Sequence, residues 1–594
     1  MIRTGRFTIA WIVSVLIFFT FDLLWSAITT FRAMSFPPTY FFAILAGTII
    51  TLPSAVFPRR PSVQLVVWIA VSGIMVANFM YYRTYFTAIP ARSYLLVGNL
   101  AEFGMSVWDS ISWSDIILPL ESLAGYFFLR RQTCSGNKFR IWFAATVISG
   151  LLSWLSSKPY GGSGHHINSM LQECYYTTCP PVVYTLAGSV VSQLAAVSDD
   201  TVTPDSRTQV THWMEAHSNT ETDSIAASDK SLVVIFLESF ESWPIGLEVE
   251  GQVVTPFINS LVSDSLTSFM PKIVTQVGAG RSIDAQLLML AGMLPMEHDV
   301  AAMTHSDNTY LTITKAMKEE VGARGYLLTG DKPSSWNQAR IAYNAGVDTL
   351  LTASSWDMTE KIGHPAKIAD GALFEQAAEK MKRGEIFPIG EKAFVLIVSY
   401  SGHNPWIIPA EKHSLHLKGK YPPKFADYIT AMNYVDRSLK PFVHYLRSRP
   451  DASDIIIVIT GDHEGLASYR EGILSDSITS RIVPENEFTP LLIINSPRPG
   501  LFDFVAGQVD VFPTLLDIMG LNDYPWRGMG TSIFSDSHPR KAIGRKGEMV
   551  PSDSITTSDT LLRKARHISD IIIRYDLLPS VMSGRPAKSD KLSE

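Results

Sequence analysis

The chain has 594 residues, more than one hydrophobic core accommodates, so a single small module is excluded and several units are expected. Hydrophobic residues make up 46% and charged residues 18%, which excludes a chain dominated by disorder and points to lipid-embedded segments. With 50 basic against 56 acidic residues the net charge is only -6, so neither a polybasic tail nor a nucleic-acid surface is expected. Three cysteines, Cys134, Cys174 and Cys179, are too few for a disulfide scaffold or a cysteine zinc cluster. Cys174 and Cys179 either pair in an oxidising compartment or stay free thiols.

Residues 1–157 read as a membrane domain of five helices. Apolar runs at 7–31, 40–57, 63–82 and 141–155 approach or exceed the roughly 20 residues that cross a bilayer as a helix. The run at 116–129 is short and holds Pro119 and Glu121, so hydropathy alone leaves it spanning, re-entrant or interfacial. The basic residues favour five spans. Arg3, Arg6, Arg59, Arg60, Arg130, Arg131, Lys138 and Arg140 then share one side, against Arg32, Arg83 and Arg92 on the other. Because short cytoplasmic loops are enriched in Lys and Arg, the amino terminus is expected inside and everything after about residue 157 outside. The aromatic segment at 81–113 reads as an interfacial helix. Asp22, inside the first span, either meets a polar headgroup or faces a neighbouring helix.

Residues 158–230 are polar and read as a linker with one short helix. From 231 to 540 apolar strands alternate with amphipathic stretches, the pattern of an α/β domain with a mostly parallel central sheet and helices on both faces. Residues 541–594 read as an amphipathic helix at 560–578 followed by a polar tail.

Runs at 232–237, 325–329, 394–400 and 454–460 look like strands buried on both faces. Chemistry-bearing residues follow three of them: Glu238, then Gly402 and His403, then Asp462 and His463. Ligands of open parallel sheets bind beyond the carboxyl ends of the strands, so these residues should converge. Singly, each has a plain structural explanation as a turn cap or a hydrogen-bonded core group. Together, two carboxylates and an imidazole suit a divalent cation of the Mn or Zn type. Ser282 follows Gly278 and Gly280 and opens an apolar helix, where its hydroxyl would serve either as a nucleophile beside free N–H groups or as an ordinary cap.

With those residues in view, the chain resembles the lipoteichoic acid synthase-like branch of the alkaline phosphatase and sulfatase superfamily. The resemblance rests on FLES at 236–239, GAGRSIDAQ at 278–286, SGHNPW at 401–406, TGDHEG at 460–465 and QVDVFPTLLDIMG at 508–520, in that order. It implies that Glu238, Ser282, Asp462 and His463 hold one divalent metal, manganese or zinc with magnesium as a third option. Ser282 would be the nucleophile where the family usually has threonine, and His403 the histidine near the substrate phosphate. Asp510, Pro513 and Thr514 match a recurrent structural element. Phosphoglycerol-handling members carry a Trp-Asn-Arg triplet preceded by a histidine. Here Trp336 and Asn337 are followed by Gln338, no such histidine precedes them, and Arg340 reaches the phosphate only from a shifted register. Ser282 lacks the Pro and Arg of a formylglycine motif, which argues against sulfate-ester hydrolysis.

The resemblance thus implies a multi-pass protein of the bacterial plasma membrane with its catalytic domain outside the cytoplasm. Its expected reaction moves a phospholipid headgroup, phosphoglycerol or phosphoethanolamine, through a phosphoserine to an envelope glycan or lipid. The competing expectations are a phosphodiesterase or phosphatase, and a non-catalytic lipid-binding relative.

Overall fold

The computed structural model describes residues 5–28, 37–85, 111–133, 136–157, 204–218, 229–296, 300–333, 335–363, 366–466, 469–545, 547–551 and 557–583. These form two compact units, a helical one within the first 200 residues and an α/β one after them.

The helical unit contains α1 (Arg6–Ile28), α2 (Pro37–Ile50), α3 (Leu52–Val56), α4 (Pro61–Tyr85), α5 (Ile117–Arg130) and α6 (Phe139–Ser157). Three of them, α1, α4 and α6, are long and apolar enough to cross a membrane, where five spans are expected from the sequence. The expected second span is broken at Thr51, whose hydroxyl bonds back to the Gly47 carbonyl, and Pro53 is the second residue of the five-residue α3. The expected fourth span is the 14-residue α5, in which Pro119 and Glu121 sit in the first turns. The helices approach closely where side chains are small, as is usual for membrane helices. A Cβ on Gly47 would meet the Val15 backbone at 2.7 Å, and one on Gly125 the Val13 side chain at 2.4 Å. Trp68 donates to Ser14 and the Ser72 and Ser122 hydroxyls pair at 2.9 Å, so these polar groups are satisfied inside the bundle. Phe143, Ile148, Leu151 and Leu155 of α6 are exposed and apolar, which fits lipid contact. Most of the interfacial segment, the cysteine pair and most of the linker lie outside the described residues, and the segment's first five residues belong to α4.

The α/β unit begins with α7 (Pro204–Ser218), inside the stretch expected as a linker. Val210 and Trp213 of α7 are buried, and the Trp213 indole donates to the Gly528 carbonyl at 3.3 Å. The sheet is built from β1 (Ser231–Leu237), β2 (Thr267–Val274), β3 (Arg324–Thr329), β4 (Thr349–Leu351), β5 (Ala393–Val398), β6 (Ile455–Gly461), β7 (Phe488–Ile494), β8 (Gly500–Leu501) and β9 (Ala506–Gly507). Its order is β8-β2-β7-β6-β1-β5-β3-β4, with β9 also on β2. Strands β6, β1, β5, β3 and β4 are parallel, and β7 runs antiparallel between β6 and β2. Alternate residues of β1 feed two cores: Leu232, Val234 and Phe236 on one face, Val233, Ile235 and Leu237 on the other. A strand buried on both faces must read as a continuous apolar run, and this one does.

Helices α8 (Ser282–Ala291), α9 (Asp370–Lys382), α10 (Pro423–Ser448) and α11 (Val511–Ile518) cover the two faces. The C-terminal α12 (Thr557–Tyr575) and α13 (Leu577–Ser583) pack through Ala565, Ile568, Ile572 and Leu578 into the first of the two cores.

Candidate active site

Strand register brings the site together. Phe236 of β1 lies opposite Thr460 of β6 and Val398 of β5, and Val398 lies opposite Thr329 of β3. Two residues beyond each, one row crosses the carboxyl edge of four parallel strands: Asp462, Glu238, Tyr400 and Asp331. Close packing of the loops depends on glycine. A Cβ on Gly402 would sit 2.0 Å from the Glu238 carbonyl oxygen, and one on Gly461 2.0 Å from that of Phe240.

Glu238, Asp462 and His463 are buried, and one ligand-type atom from each lies within 4.8 Å of the others. The Ser282 hydroxyl lies 3.3 Å from Glu238 Oε2 and 3.3 Å from His463 Nε2. Ser282 is the first residue of α8, whose N-cap is Arg281 at φ +51°, so the serine side chain faces the cluster. The preceding turn is folded by Asp284, which accepts the Gly278 and Gly280 N–H groups at 3.0 and 2.9 Å. Burial pushes the Asp284 carboxyl up to about 7.

The cluster is held in place from outside. Ser239 donates its hydroxyl to Glu238 Oε1 at 2.7 Å and its N–H to Asp462 Oδ1 at 2.7 Å, and the His463 N–H reaches the same Oδ1 at 2.8 Å. Asp462 Oδ2 is sealed from water without a hydrogen bond of normal geometry. Burial first, then the Glu238 charge, pushes Asp462 up to about 7. Burial also raises Glu238, partly offset by Ser239, Lys367 and Arg281. Burial and the Arg281 charge lower His463 below its ordinary value. Its Nδ1 lies 2.9 Å from the Glu464 carbonyl and its Nε2 faces Ser282.

A buried pair of carboxylates beside a neutral imidazole, with an orphaned oxygen pointing inward, is a donor set that a divalent cation fits. Glu238, Ser282, Asp462 and His463 are the residues that could hold it.

Sequence reasoning missed several groups around this cluster. Arg281 pairs with Glu464 and places Nη2 3.1 Å from His463 Nδ1. Arg545 contacts Glu464 at 3.4 Å and Glu487 at 3.0 Å, and Arg470 pairs with Glu241. Glu241 in turn accepts the Gly465 and Leu466 N–H groups, so the loop carrying Asp462 and His463 is gripped on both sides. Burial would raise Glu464, but Arg281 and Arg545 outweigh it and hold the carboxyl well below its usual range. Only the string TGDHEG hinted at Glu464; its partners are 183 and 81 residues away in sequence and no local pattern points to them.

The remaining expected residues are placed differently. His403 stacks on Tyr400, with ring centroids 5.1 Å apart, and its Nδ1 faces the Asn404 carbonyl. Burial lowers it to about 4, with Lys367 adding to the shift. Trp336 and Asn337 have φ of +51° and +52°; Trp336 packs on the core and Asn337 donates to the Ala302 carbonyl at 3.1 Å. Gln338 exchanges hydrogen bonds with Gln286 of α8. Arg340 forms an ion pair with Asp307, both side chains more than half exposed, and the structure does not bring it to the cluster. Asp510 accepts the Gly507 and Thr531 N–H groups and the Thr514 hydroxyl bonds back to its carbonyl, a purely structural arrangement.

Residues 230–521 match the sulfatase family model. Over 520 residues the chain is 24% identical to lipoteichoic acid synthase 1 of Bacillus subtilis, covering 84% of this chain and 79% of that protein. Identity to a lipoteichoic acid synthase of Staphylococcus aureus is 24% over 503 residues, covering 81% and 76%. Among solved structures, the lipoteichoic acid synthase LtaP of Listeria monocytogenes aligns at 18% identity and TM-score 0.49, covering 64% of this chain and 99% of that one. The lipooligosaccharide phosphoethanolamine transferase EptA of Neisseria meningitidis aligns at 12% identity and TM-score 0.49, covering 82% and 88%.

Proposed function

We propose, on the premise that the chain belongs with the lipoteichoic acid synthase-like members of the sulfatase family and is a phosphotransferase, that it moves a phospholipid headgroup to an envelope glycan or lipid through a phosphoseryl intermediate on Ser282. The observation that carries the reading is the Ser282 hydroxyl, 3.3 Å from both Glu238 Oε2 and His463 Nε2 at the carboxyl edge of the sheet. A divalent ion, manganese or zinc, held by Glu238, Ser282, Asp462 and His463 would supply a lower hydroxyl pKa and screening of phosphoryl charge.

In the first step Ser282 Oγ gives up its proton to water and attacks phosphorus, the bond to the diacylglycerol oxygen breaks, and that oxygen takes a proton back from water. Burial favours a neutral His403 imidazole at pH 7. With the proton on Nδ1, toward the Asn404 carbonyl, Nε2 presents a lone pair. In the second step that lone pair accepts the proton of the acceptor hydroxyl as its oxygen attacks phosphorus, and Ser282 Oγ departs and regains a proton through water as His403 gives one up. Trp336 and Asn337 are assigned to the headgroup side of the site.

A lipid donor stays in the bilayer, so an enzyme anchored beside it meets its substrate without diffusion through water. Helices α1, α4 and α6 suit such an anchor. With the broken second helix and α5 added, five crossings with the amino terminus inside would place the α/β unit outside the cytoplasm, at a bacterial plasma membrane.

The test is headgroup transfer from labelled phospholipid in reconstituted membranes. The full chain should transfer label to an acceptor and Ser282→Ala should abolish transfer. Full transfer by Ser282→Ala would refute the reading, and release of free headgroup phosphate alone would replace it with a phosphodiesterase.

A further inference from the structure

The substrate phosphate needs positive charge beyond the cluster, and the two groups that the sequence offers for it do not supply it. Burial favours a neutral His403 imidazole, and Arg340 is engaged with Asp307 at the surface. Gln338, the residue directly after Trp336 and Asn337, is uncharged and committed to Gln286. Arg281 is locked between His463 and Glu464.

Among the described residues a further cation, Lys367, lies over the row of strand ends. A short antiparallel hairpin pairs Lys361–Ile362 with Lys367–Ile368 and leads into α9. It is anchored at its far end. Asp370 accepts the Tyr400 and Ser401 N–H groups at 2.8 and 2.9 Å, and its own N–H reaches the Ser401 hydroxyl at 2.9 Å. Gly330 makes a close contact possible beside the hairpin, since a Cβ there would meet Ile368 at 2.8 Å. Thus fixed, Lys367 places Nζ 4.2 Å above the Tyr400 ring and pairs with Asp331, at the third and fourth places in the row. Adjacent strands lie about 4.8 Å apart, so Tyr400 is one strand from Glu238. The Lys367 charge is felt by both Glu238 and His403. The Lys367 and Asp331 side chains are 15% and 26% exposed against 5%, 1% and 7% for Glu238, Asp462 and His463, so the pair is more open to the outside than the cluster.

We infer that Lys367 is a substrate-binding residue, the cation that receives the non-bridging phosphate oxygens of the donor headgroup. An ammonium carries three N–H donors, so Lys367 can hold Asp331 and a phosphate oxygen together. The Tyr400 ring face helps to fix its position. The inference rests on the proposed phosphotransferase reading and gives that site its phosphate contact from an element that carries none of the motifs.

The test uses the full chain in detergent with manganese, and inorganic phosphate as the probe in titration calorimetry. Lys367→Met should weaken phosphate binding about tenfold or more, the loss of one charge-assisted hydrogen bond, with manganese affinity and melting temperature retained. Lys367→Arg should restore binding, and KM for the lipid donor should rise more than kcat falls in Lys367→Met. Unchanged phosphate binding by Lys367→Met would overturn the inference alone. Equal losses of manganese and phosphate binding would also overturn it, by showing a structural role. Absence of phosphate binding by the unaltered chain would overturn both this inference and the reading beneath it.

Discussion

Asp462→Asn should make the metal-free protein more stable at neutral pH while removing its response to metal. Burial and Glu238 raise the Asp462 carboxyl from 3.8 to about 7 in the folded chain. A raised carboxyl is a stabilising contribution only while it is protonated. The contribution is full below about pH 4 and is lost as pH climbs to about 7, so ionising the folded group costs roughly 4 kcal/mol by pH 8. Asparagine keeps Oδ1, which accepts from Ser239 and His463, and puts an NH2 where Oδ2 lacks a good partner. The α/β unit holds about 400 residues, so its unfolding entropy is roughly 0.8 kcal/mol per kelvin and the relief corresponds to about 5 °C. Melting curves of both proteins in chelator at pH 5 and pH 8 measure it. The gap between them should widen with pH, and manganese or zinc should raise only the unaltered protein, by about 2.7 kcal/mol at a hundredfold excess over the dissociation constant. A substituted protein that melts lower than the unaltered one in chelator at pH 8, or that gains equally from metal, would refute the reasoning.

Gly402→Ala should cost about 1–3 kcal/mol, because the added methyl overlaps the Glu238 carbonyl at 2.0 Å, and should weaken metal binding by shifting Glu238. Thermal melting and metal titration check the two effects. Arg545→Met should cost toward the lower end of about 3–5 kcal/mol in chemical denaturation, since Glu464 keeps Arg281 but loses one of its two buried partners.

The parallel half of the sheet was legible because strands covered on both faces must be apolar throughout; Leu232–Leu237 and Ile455–Thr460 could hardly be anything else. The antiparallel half was not. Strand β7 contains Pro490 and β2 contains Pro271, and their pairing slips at this place, between Thr489 and Leu491. A proline inside an apolar run argues against a central strand unless a bulge receives it, and the bulge appears only once the strands meet. In the membrane unit, composition marked every apolar stretch but not the break at Thr51 or the shortness of α5, which are matters of backbone bonding. At the site, Glu238, Ser282, Asp462 and His463 follow strands or open a helix, positions visible in a linear pattern. Arg281, Glu464, Arg545 and Lys367 act through pairings across many residues, for which the sequence carries no periodic signal.

The central claim is that one divalent ion binds at the sheet edge through Glu238, Ser282, Asp462 and His463. Anomalous diffraction from crystals of the manganese-loaded protein tests it most directly. The account predicts a single strong peak bonded to those four side chains, absent from Asp462→Ala. A peak held by other residues, or one that persists in Asp462→Ala, would contradict it.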